Sequence, residues 1–367
     1  MHSSCNSVAF EIKTSMGRYP VEVGVDLLDK TLAESIDRVW IVDSYFSDRF
    51  HALGIDAVMI HAEEPTKSLD RMTEVIVALR ERGVTRKTQL VAVGGGVTQD
   101  VAAFVAAIYM RGIDYLYLPT TLLSMADSCI GGKSSINVGK YKNIVGTVAP
   151  PAEVRIDPAF TTTLSREQIA EGLCEAAKIC LCGGADVFDG YLALDPTVDA
   201  DEATMTATIA HALKTKAWFI EIDEFDKNER LLLNFGHTFG HAIEAASGFD
   251  ISHGIGVGLG MLAALQFGES VGLDYTAMPH VAQFKAHIAA LLGAIDGLDA
   301  SLARLHEAAL LDAFNSDKKH LRDAFAIILV NEAGAVERRM FARDAVTTRA
   351  VAGAFASLGA VPLRIAA

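Results

Sequence analysis

Two histidines, His237 and His241, stand four residues apart in Asn234-Phe235-Gly236-His237-Thr238-Phe239-Gly240-His241, and His253-Gly254 follows twelve residues later. Residues four apart on a helix share a face, so the pair can hold a metal ion together, or one ring can bind metal while the other moves a proton. A single histidine on an apolar helix is more often packed in a core. Three within seventeen residues, set among glycines and preceded by Arg230, point instead to metal or catalysis. Glu175 and Lys178 are spaced i, i+3 in a helical stretch and project from one face, as a surface ion pair also would. Glu175 with His237 and His253 would make one carboxylate and two imidazoles, the open three-ligand set of a catalytic zinc site. Spacing alone does not say that the three converge.

Two further stretches suit anions. Gly94-Gly95-Gly96-Val97-Thr98-Gln99-Asp100 follows a strand-like run and precedes the helical pattern Val101 to Tyr109, so the glycines fall at a strand-to-helix turn. There a bare backbone can approach a pyrophosphate, and the amides of the helix start favour its charge. The spacing is not the G-x-G-x-x-G fingerprint, and a tight turn in an α/β sheet accounts for it equally well. Downstream, Asp127, Lys133, Asn137, Lys140, Lys142 and Asn143 fall within seventeen residues that also hold Gly131, Gly132 and Gly139, with Arg111 shortly upstream. A solvated basic loop has that look, but lysines, amides and glycines together are also what a small-anion cradle requires.

Groups so scattered need a scaffold. Short apolar runs, Val39-Trp40-Ile41-Val42, Ala57-Val58-Met59-Ile60, Leu90-Val91-Ala92-Val93 and Tyr115-Leu116-Tyr117-Leu118, then Glu153-Val154-Arg155-Ile156-Asp157, predict buried parallel strands. Between them, Leu69 to Arg82 has helical spacing, which makes a βαβ pattern. From about residue 160 long helical periodicities take over, in Arg166 to Cys180, Ala203 to Ile222, Leu231 to Ser247, Gly256 to Val271, Pro279 to Leu292 and Asp344 to Leu358. Ser165 with Gln168 reads as a capping box at the changeover. The expected division is an α/β domain over 1–160 and an all-α domain over 161–367, with Gly293 to Ala300 as a surface linker.

The 367 residues, 51% hydrophobic and 21% charged, exclude a disulfide-stapled mini-protein and wholesale disorder. Lys+Arg 32 against Asp+Glu 46 leaves a formal charge of −14, which opposes non-specific binding to nucleic acid or an anionic membrane. Any anionic ligand must then be held by a local cationic pocket. No apolar run approaches the roughly 20 residues that span a bilayer, and Met1-His2-Ser3-Ser4-Cys5 lacks the basic and apolar regions of a secretory signal. The cysteines, Cys5, Cys129, Cys174, Cys180 and Cys182, are odd in number and read as reduced thiols. A soluble cytoplasmic protein is expected.

Several blocks in one order across nearly the whole chain carry a resemblance: Gly94-Gly95-Gly96-Val97 to Asp100, Tyr109-Met110-Arg111-Gly112, Pro119-Thr120-Thr121-Leu122-Leu123, Asp127-Ser128, Gly131-Gly132-Lys133, Lys142-Asn143 and Leu233 to His241. Together they resemble the 3-dehydroquinate synthase family, which belongs with the sugar-phosphate cyclases. The resemblance implies a Rossmann-like α/β N-terminal domain that binds NAD, a helical metal-binding C-terminal domain, and a homodimer. Carried over residue by residue, it implies Glu175, His237 and His253 as ligands of zinc or cobalt. It implies Asp43, Glu64, Lys67, Gly95, Gly96, Val97, Asp100, Thr120 and Thr121 as NAD contacts, with Lys142 between cofactor and substrate. Asp127, Lys133, Lys178, Lys216, Arg230, Asn234 and His241 become the catalytic set, and Asn143, Lys318 and Lys319 further substrate contacts. Arg111 resembles the arginine lent across the dimer to the substrate phosphate.

The activity so implied is cyclisation of a seven-carbon keto-acid sugar phosphate to 3-dehydroquinate. NAD⁺ transiently oxidises a secondary hydroxyl, phosphate leaves, hydride returns, and the opened ring closes by an aldol step. Gln99 stands where the family usually has Gly, Ser134-Ser135 replaces a Thr followed by a small residue, Asp226 and Ile255 each replace a usual Glu, and Asp323 falls near an expected Gly. These leave the ring-closing chemistry intact but bear on the substrate. The alternatives are a related cyclase that makes a cyclitol from sedoheptulose 7-phosphate or glucose 6-phosphate, a polyol dehydrogenase that releases NADH, and a binding module without catalysis.

Overall fold

The computed structural model describes residues 7–139 and 141–360, so the expectations for Met1 to Cys5 and for Lys140 lie outside the described residues. The chain forms two compact units, Met1–Thr163 with Ala217–Phe225, and Leu164–Lys216 with Asp226–Ala367.

The strands of the first unit are β1 (Val8–Thr14), β2 (Gly17–Val23), β3 (Arg38–Asp43), β4 (Ala57–Ile60), β5 (Gln89–Gly94), β6 (Tyr115–Pro119), β7 (Lys133–Val138), β8 (Tyr141–Val148) and β9 (Glu153–Ile156). Seven of them form one sheet in the order β1-β2-β9-β6-β5-β3-β4, parallel throughout except for the β1-β2 hairpin. Helices α1 (Leu27–Ala33), α2 (Ser47–Ala52), α3 (Leu69–Glu81) and α4 (Gly96–Ile108) connect the strands. In β5, Leu90, Val91, Ala92 and Val93 are fully buried, as a strand covered on both faces must be. Each large aliphatic side chain so buried contributes about 1.5–3 kcal/mol. From β3 the chain passes to β4 on one side and then to β5 on the other, so the strand order reverses between β3 and β5. Such a switch point leaves room for a ligand at the carboxyl ends of the strands. A separate antiparallel ribbon, β7-β8, has a register irregularity between Ile136 and Val138. Ala217–Phe225 belongs with this unit, where the Lys13 N–H donates to Glu221 at 3.2 Å and the Ser15 N–H to Glu224 at 2.7 Å.

The second unit holds α5 (Arg166–Cys182), α6 (Ala185–Leu192), most of α7 (Glu202–Ile222), α8 (His237–Ala246), α9 (His253–Ser270), α10 (Pro279–Gly293), α11 (Leu298–Ala303), α12 (Glu307–Asn315) and α13 (Ala345–Ser357). The capping box forms as read: the Gln168 N–H donates to Ser165 Oγ, and Gln168 Oε1 accepts from the Ser165 N–H. The core sits around α9, in which every residue from Gly254 to Leu265 is buried. The unit is helical but carries one antiparallel hairpin, β10 (Ala324–Val330) with β11 (Val336–Ala342), which the all-helical expectation omitted. Two further readings are corrected. Leu231 to Ser247 is not one helix, because Gly236 takes a left-handed φ of 79° and separates the Glu229–Asn234 turn from α8. The expected linker Gly293 to Ala300 is partly helical, since Leu298 is buried and opens α11. The described cysteines, Cys129, Cys174, Cys180 and Cys182, carry free thiols. Among the described residues no helix is long and apolar enough to cross a membrane.

Candidate active site

Glu175 and Lys178 lie on α5, and each is 1% exposed. Lys178 Nζ donates to Glu175 Oε2. A buried carboxylate needs its remaining lone pairs satisfied, yet among the described residues Glu175 Oε1 has no hydrogen-bond donor. It faces two imidazoles, His253 Nε2 at 3.6 Å and His237 Nε2 at 3.8 Å. In each ring the other nitrogen is engaged: His253 Nδ1 lies 2.7 Å from Glu244 Oε1, and His237 Nδ1 lies 3.4 Å from the Phe235 carbonyl. Those oxygens accept, which assigns the proton of each neutral ring to Nδ1 and leaves a lone pair on Nε2. Three lone pairs aimed at one small space repel one another unless a cation lies among them. One carboxylate and two neutral imidazoles fit a divalent metal with positions left open to substrate.

The electrostatics agree. Burial first, then the Lys178 ammonium, holds His237 well below its ordinary value, so its Nε2 lone pair is available at neutral pH. Burial opposes charge on His253 most strongly, but the Glu244 hydrogen bond and the Glu244 and Glu175 charges together outweigh it and hold that ring above its ordinary value. A metal cation at Nε2 answers that pull as a proton does.

Helix ends assemble this set. His237 is the first residue of α8 and His253 the first of α9. A Cβ on Gly260 would lie 2.1 Å from the Gly236 carbonyl oxygen, so α8 and α9 meet backbone to backbone. Gly254 does the same toward α5, where a Cβ would lie 2.6 Å from Glu171 Cβ. Glycine is therefore what brings Glu175, His237 and His253 within reach.

His241 joins the group, since one ligand atom from each of His237, His241 and His253 lies within 4.8 Å of the others. Loss of hydration, then the Lys319 ammonium and the His253 ring, lower His241 to about 4, which leaves its ring neutral at neutral pH. Lys319 and Lys318 follow α12. Burial pushes the Lys319 amine down, against the Asp317 carboxylate 3.6 Å away. Lys216 on α7 and Arg230 before α8 are buried, at 6% and 4% exposed. Asn234 Nδ2 donates to the Leu231 carbonyl at 3.1 Å, and Lys318 is exposed. Glu244 and Asp317 were not singled out in the sequence. Glu244 could have been, because it stands seven residues after His237 and three after His241, on the same helical face.

In the first unit the residues expected at a nucleotide gather at the carboxyl ends of the strands. β3 ends at Asp43, whose Oδ1 accepts from the Tyr45 N–H at 3.0 Å. β5 ends at Gly94 beside Pro119, the end of β6, and the Thr120 N–H donates to the Gly94 carbonyl at 3.0 Å. Gly95 caps α4, and Gly96 and Val97 open its first turn. A Cβ on Gly95 would lie 2.9 Å from Thr121 Cγ2, whereas one on Gly96 would meet nothing within 4 Å. The β7-β8 ribbon brings distant residues together. Lys67 Nζ lies 2.7 Å from Asp100 Oδ2, and Asp100 Oδ1 accepts from the Ser135 N–H at 3.0 Å. Asn137 Nδ2 donates to Glu64 Oε1, and Asn137 Oδ1 accepts from the Asn143 N–H, both at 2.8 Å. Lys133, Lys142 and Asn143 are exposed on that ribbon, and Asp127 sits half-buried in a wide turn closed by the Cys129 N–H on the Ser124 carbonyl. Arg111 is not with them. It lies between the carboxyl end of α4 and the start of β6, at the amino ends of the parallel strands, where Met110 and Arg111 take consecutive left-handed φ values of 48° and 68°.

Residues 57–171 match the family described as 3-dehydroquinate synthase N-terminal, and residues 172–320 the family described as 3-dehydroquinate synthase C-terminal. A 3-dehydroquinate synthase of Alkaliphilus metalliredigens (strain QYMF) is 32% identical over 319 residues, covering 84% of this chain and 86% of the relative. Another, of Enterococcus faecalis (strain ATCC 47077 / OG1RF), is 42% identical over 218 residues, or 59% of this chain, and the match spans 61% of that relative's length. A crystal structure of 2-deoxy-scyllo-inosose synthase complexed with carbaglucose-6-phosphate, NAD+ and Co2+ shares the fold, with a TM-score of 0.79 at 22% identity over 94% of this chain and 99% of that one. The matched families together run through the glycine turn and the Glu175, His237 and His253 set, and the chain belongs to the 3-dehydroquinate synthase family.

Proposed function

We propose that this chain cyclises the seven-carbon keto-acid sugar phosphate DAHP to 3-dehydroquinate with release of phosphate, using NAD and one zinc or cobalt ion. The observation that carries the reading is the buried Glu175 carboxylate, whose donor-free Oε1 faces the Nε2 atoms of His237 and His253. Family membership supports the reaction. When bound, the metal would polarise substrate oxygens and NAD would take up and return a hydride.

The chain's own residues do the rest. Glu175, His237 and His253 hold the ion, and Lys178 orients the Glu175 carboxylate through the bond to Oε2. His241, neutral at pH 7, accepts a proton from the substrate hydroxyl. The guanidinium of Arg230 and the amine of Lys216 hold the carboxylate, and Asn234, Lys318 and Lys319 meet other polar groups of the substrate; in the first unit Asp127 serves as a further substrate contact. Lys133 and Asn143 bind phosphate. Asp43, Glu64, Lys67, Gly95, Gly96, Val97, Asp100, Thr120, Thr121 and Lys142 bind NAD. The working form in this reading is a cytoplasmic homodimer in which Arg111, its backbone set by two left-handed residues, serves the neighbouring protomer's phosphate. The net charge of −14 supports a small-molecule partner rather than nucleic acid or membrane.

The test is to incubate the protein with NAD⁺, zinc and, separately, DAHP, sedoheptulose 7-phosphate and glucose 6-phosphate, and to follow phosphate release, product mass and nicotinamide absorbance. Turnover of DAHP without accumulation of NADH is expected. Preference for a sugar phosphate without a carboxylate would replace this reading with a cyclitol synthase, and stoichiometric NADH with a dehydrogenase.

A further inference from the structure

We propose that Glu244 is the positioning residue of the metal centre, fixing the direction in which His253 presents Nε2, and that Gly256 is glycine to leave room for it. The inference rests on the metal reading above. His237 and His253 are held differently. The His237 side chain is 13% exposed, whereas that of His253, at the first residue of α9, is 41% exposed and stacks on the His241 ring at 5.7 Å. Packing restrains the His253 ring less than that of His237, and the 2.7 Å bond from Nδ1 to Glu244 Oε1 sets its direction. The bond also fixes which nitrogen is a lone-pair donor, and a carboxylate behind an imidazole makes the opposite nitrogen a stronger ligand. Glu244 arrives from α8 across the face of α9 one turn beyond His253. There a Cβ on Gly256 would stand 3.1 Å from Glu244 Cγ and 3.6 Å from Oε1. The Gly240 carbonyl oxygen, 3.2 Å from the same Cβ, closes the other side, so a side chain at 256 shifts Glu244 and lengthens its bond to the ring.

The experiment measures Co²⁺ affinity of the full chain by competition with a chromophoric chelator, together with the Co²⁺ absorption spectrum and the thermal midpoint of the metal-free protein. Glu244→Gln keeps an acceptor but loses the charge and should weaken Co²⁺ binding about 10-fold, and Glu244→Ala by up to about 100-fold. Gly256→Ala, which leaves Glu244 chemically intact, should fall between wild type and Glu244→Ala and shift the spectrum in the same direction. The metal-free midpoints should differ little, which a merely structural role would not produce. Co²⁺ affinity within twofold of wild type in Glu244→Gln and Gly256→Ala overturns the inference, even if Glu244→Ala does not fold. A wild-type chain that takes up no metal overturns the metal reading and this inference together, whereas wild-type uptake with unaltered variants overturns the inference alone.

Discussion

Around Glu175 the side chains are left with something to gain: among the described residues Oε1 has no hydrogen-bond donor, two imidazole lone pairs face it, and Asp317 Oδ2 and Lys319 Nζ nearby stand 3.6 Å apart, beyond a hydrogen bond. Around the glycine turn the polar side chains have already found one another, Lys67 with Asp100 and Glu64 with Asn137, and what stays open is backbone at Gly96. A cation site is thus marked by acceptors that converge without protons, and a dinucleotide site by side chains that are missing. Damage to the first kind removes a ligand, and damage to the second adds atoms.

The comparison breaks most directly at Glu175. Glu175→Gln keeps the shape and removes the charge, and should cost on the order of 10³-fold in kcat/KM along with the bound metal. Metal analysis showing full occupancy with normal turnover would end the claim that the donor-free oxygen is a ligand. A smaller effect, on stability, is expected at Lys67. Burial alone raises the Asp100 carboxyl above its ordinary value, and the Lys67 ammonium is the first charge to oppose this. Lys67→Met leaves that carboxylate without its partner and should destabilise the fold by about 2 kcal/mol in urea unfolding, less than a fully buried pair because Asp100 keeps some solvent. An unchanged midpoint would mean that the pair is not structural. The smallest effect sharpens the contrast. Gly96→Ala has room for its Cβ and should leave the thermal midpoint and metal content unaltered, while weakening NAD by roughly 10-fold where the phosphates would approach the backbone. Equal NAD affinity by calorimetry would move the nucleotide away from this turn.

How much was legible in the sequence differs between the same two regions. The parallel strands were readable because each is a short apolar run with buried neighbours on both sides, as in Leu90 to Val93. The β1-β2 hairpin was not, although Val8, Phe10 and Ile12 alternate, since one edge strand with a wet face carries a weak signal. β10 is an apolar heptad inside a helical half, and a run that short does not tell strand from helix. At the metal centre, three histidines within one turn-and-loop segment announced themselves. Glu175 could be named as a candidate ligand but not brought to the histidines, because its approach depends on Gly254 allowing α5 against α9, a contact between separate helices that no local spacing encodes. Gln99, which departs from the family's usual Gly, exchanges two hydrogen bonds with Ser128 at 2.6 and 2.8 Å, next to Asp127, so the exception is built into the turn.

The glycines of α9 bear on how the chain folds. Gly254, Gly256, Gly258, Gly260 and Gly268 fall within its 18 residues, and each lowers helix propensity by about 1 kcal/mol relative to alanine. As an isolated segment α9 is therefore a poor nucleus, and it becomes helical only once α5 and α8 have covered it. Its amides should exchange with solvent no sooner than the unit as a whole opens. Replacing Gly254 or Gly260 with alanine, an ordinary way to strengthen a helix, would here push α9 off α5 or α8 and scatter the ligands they carry.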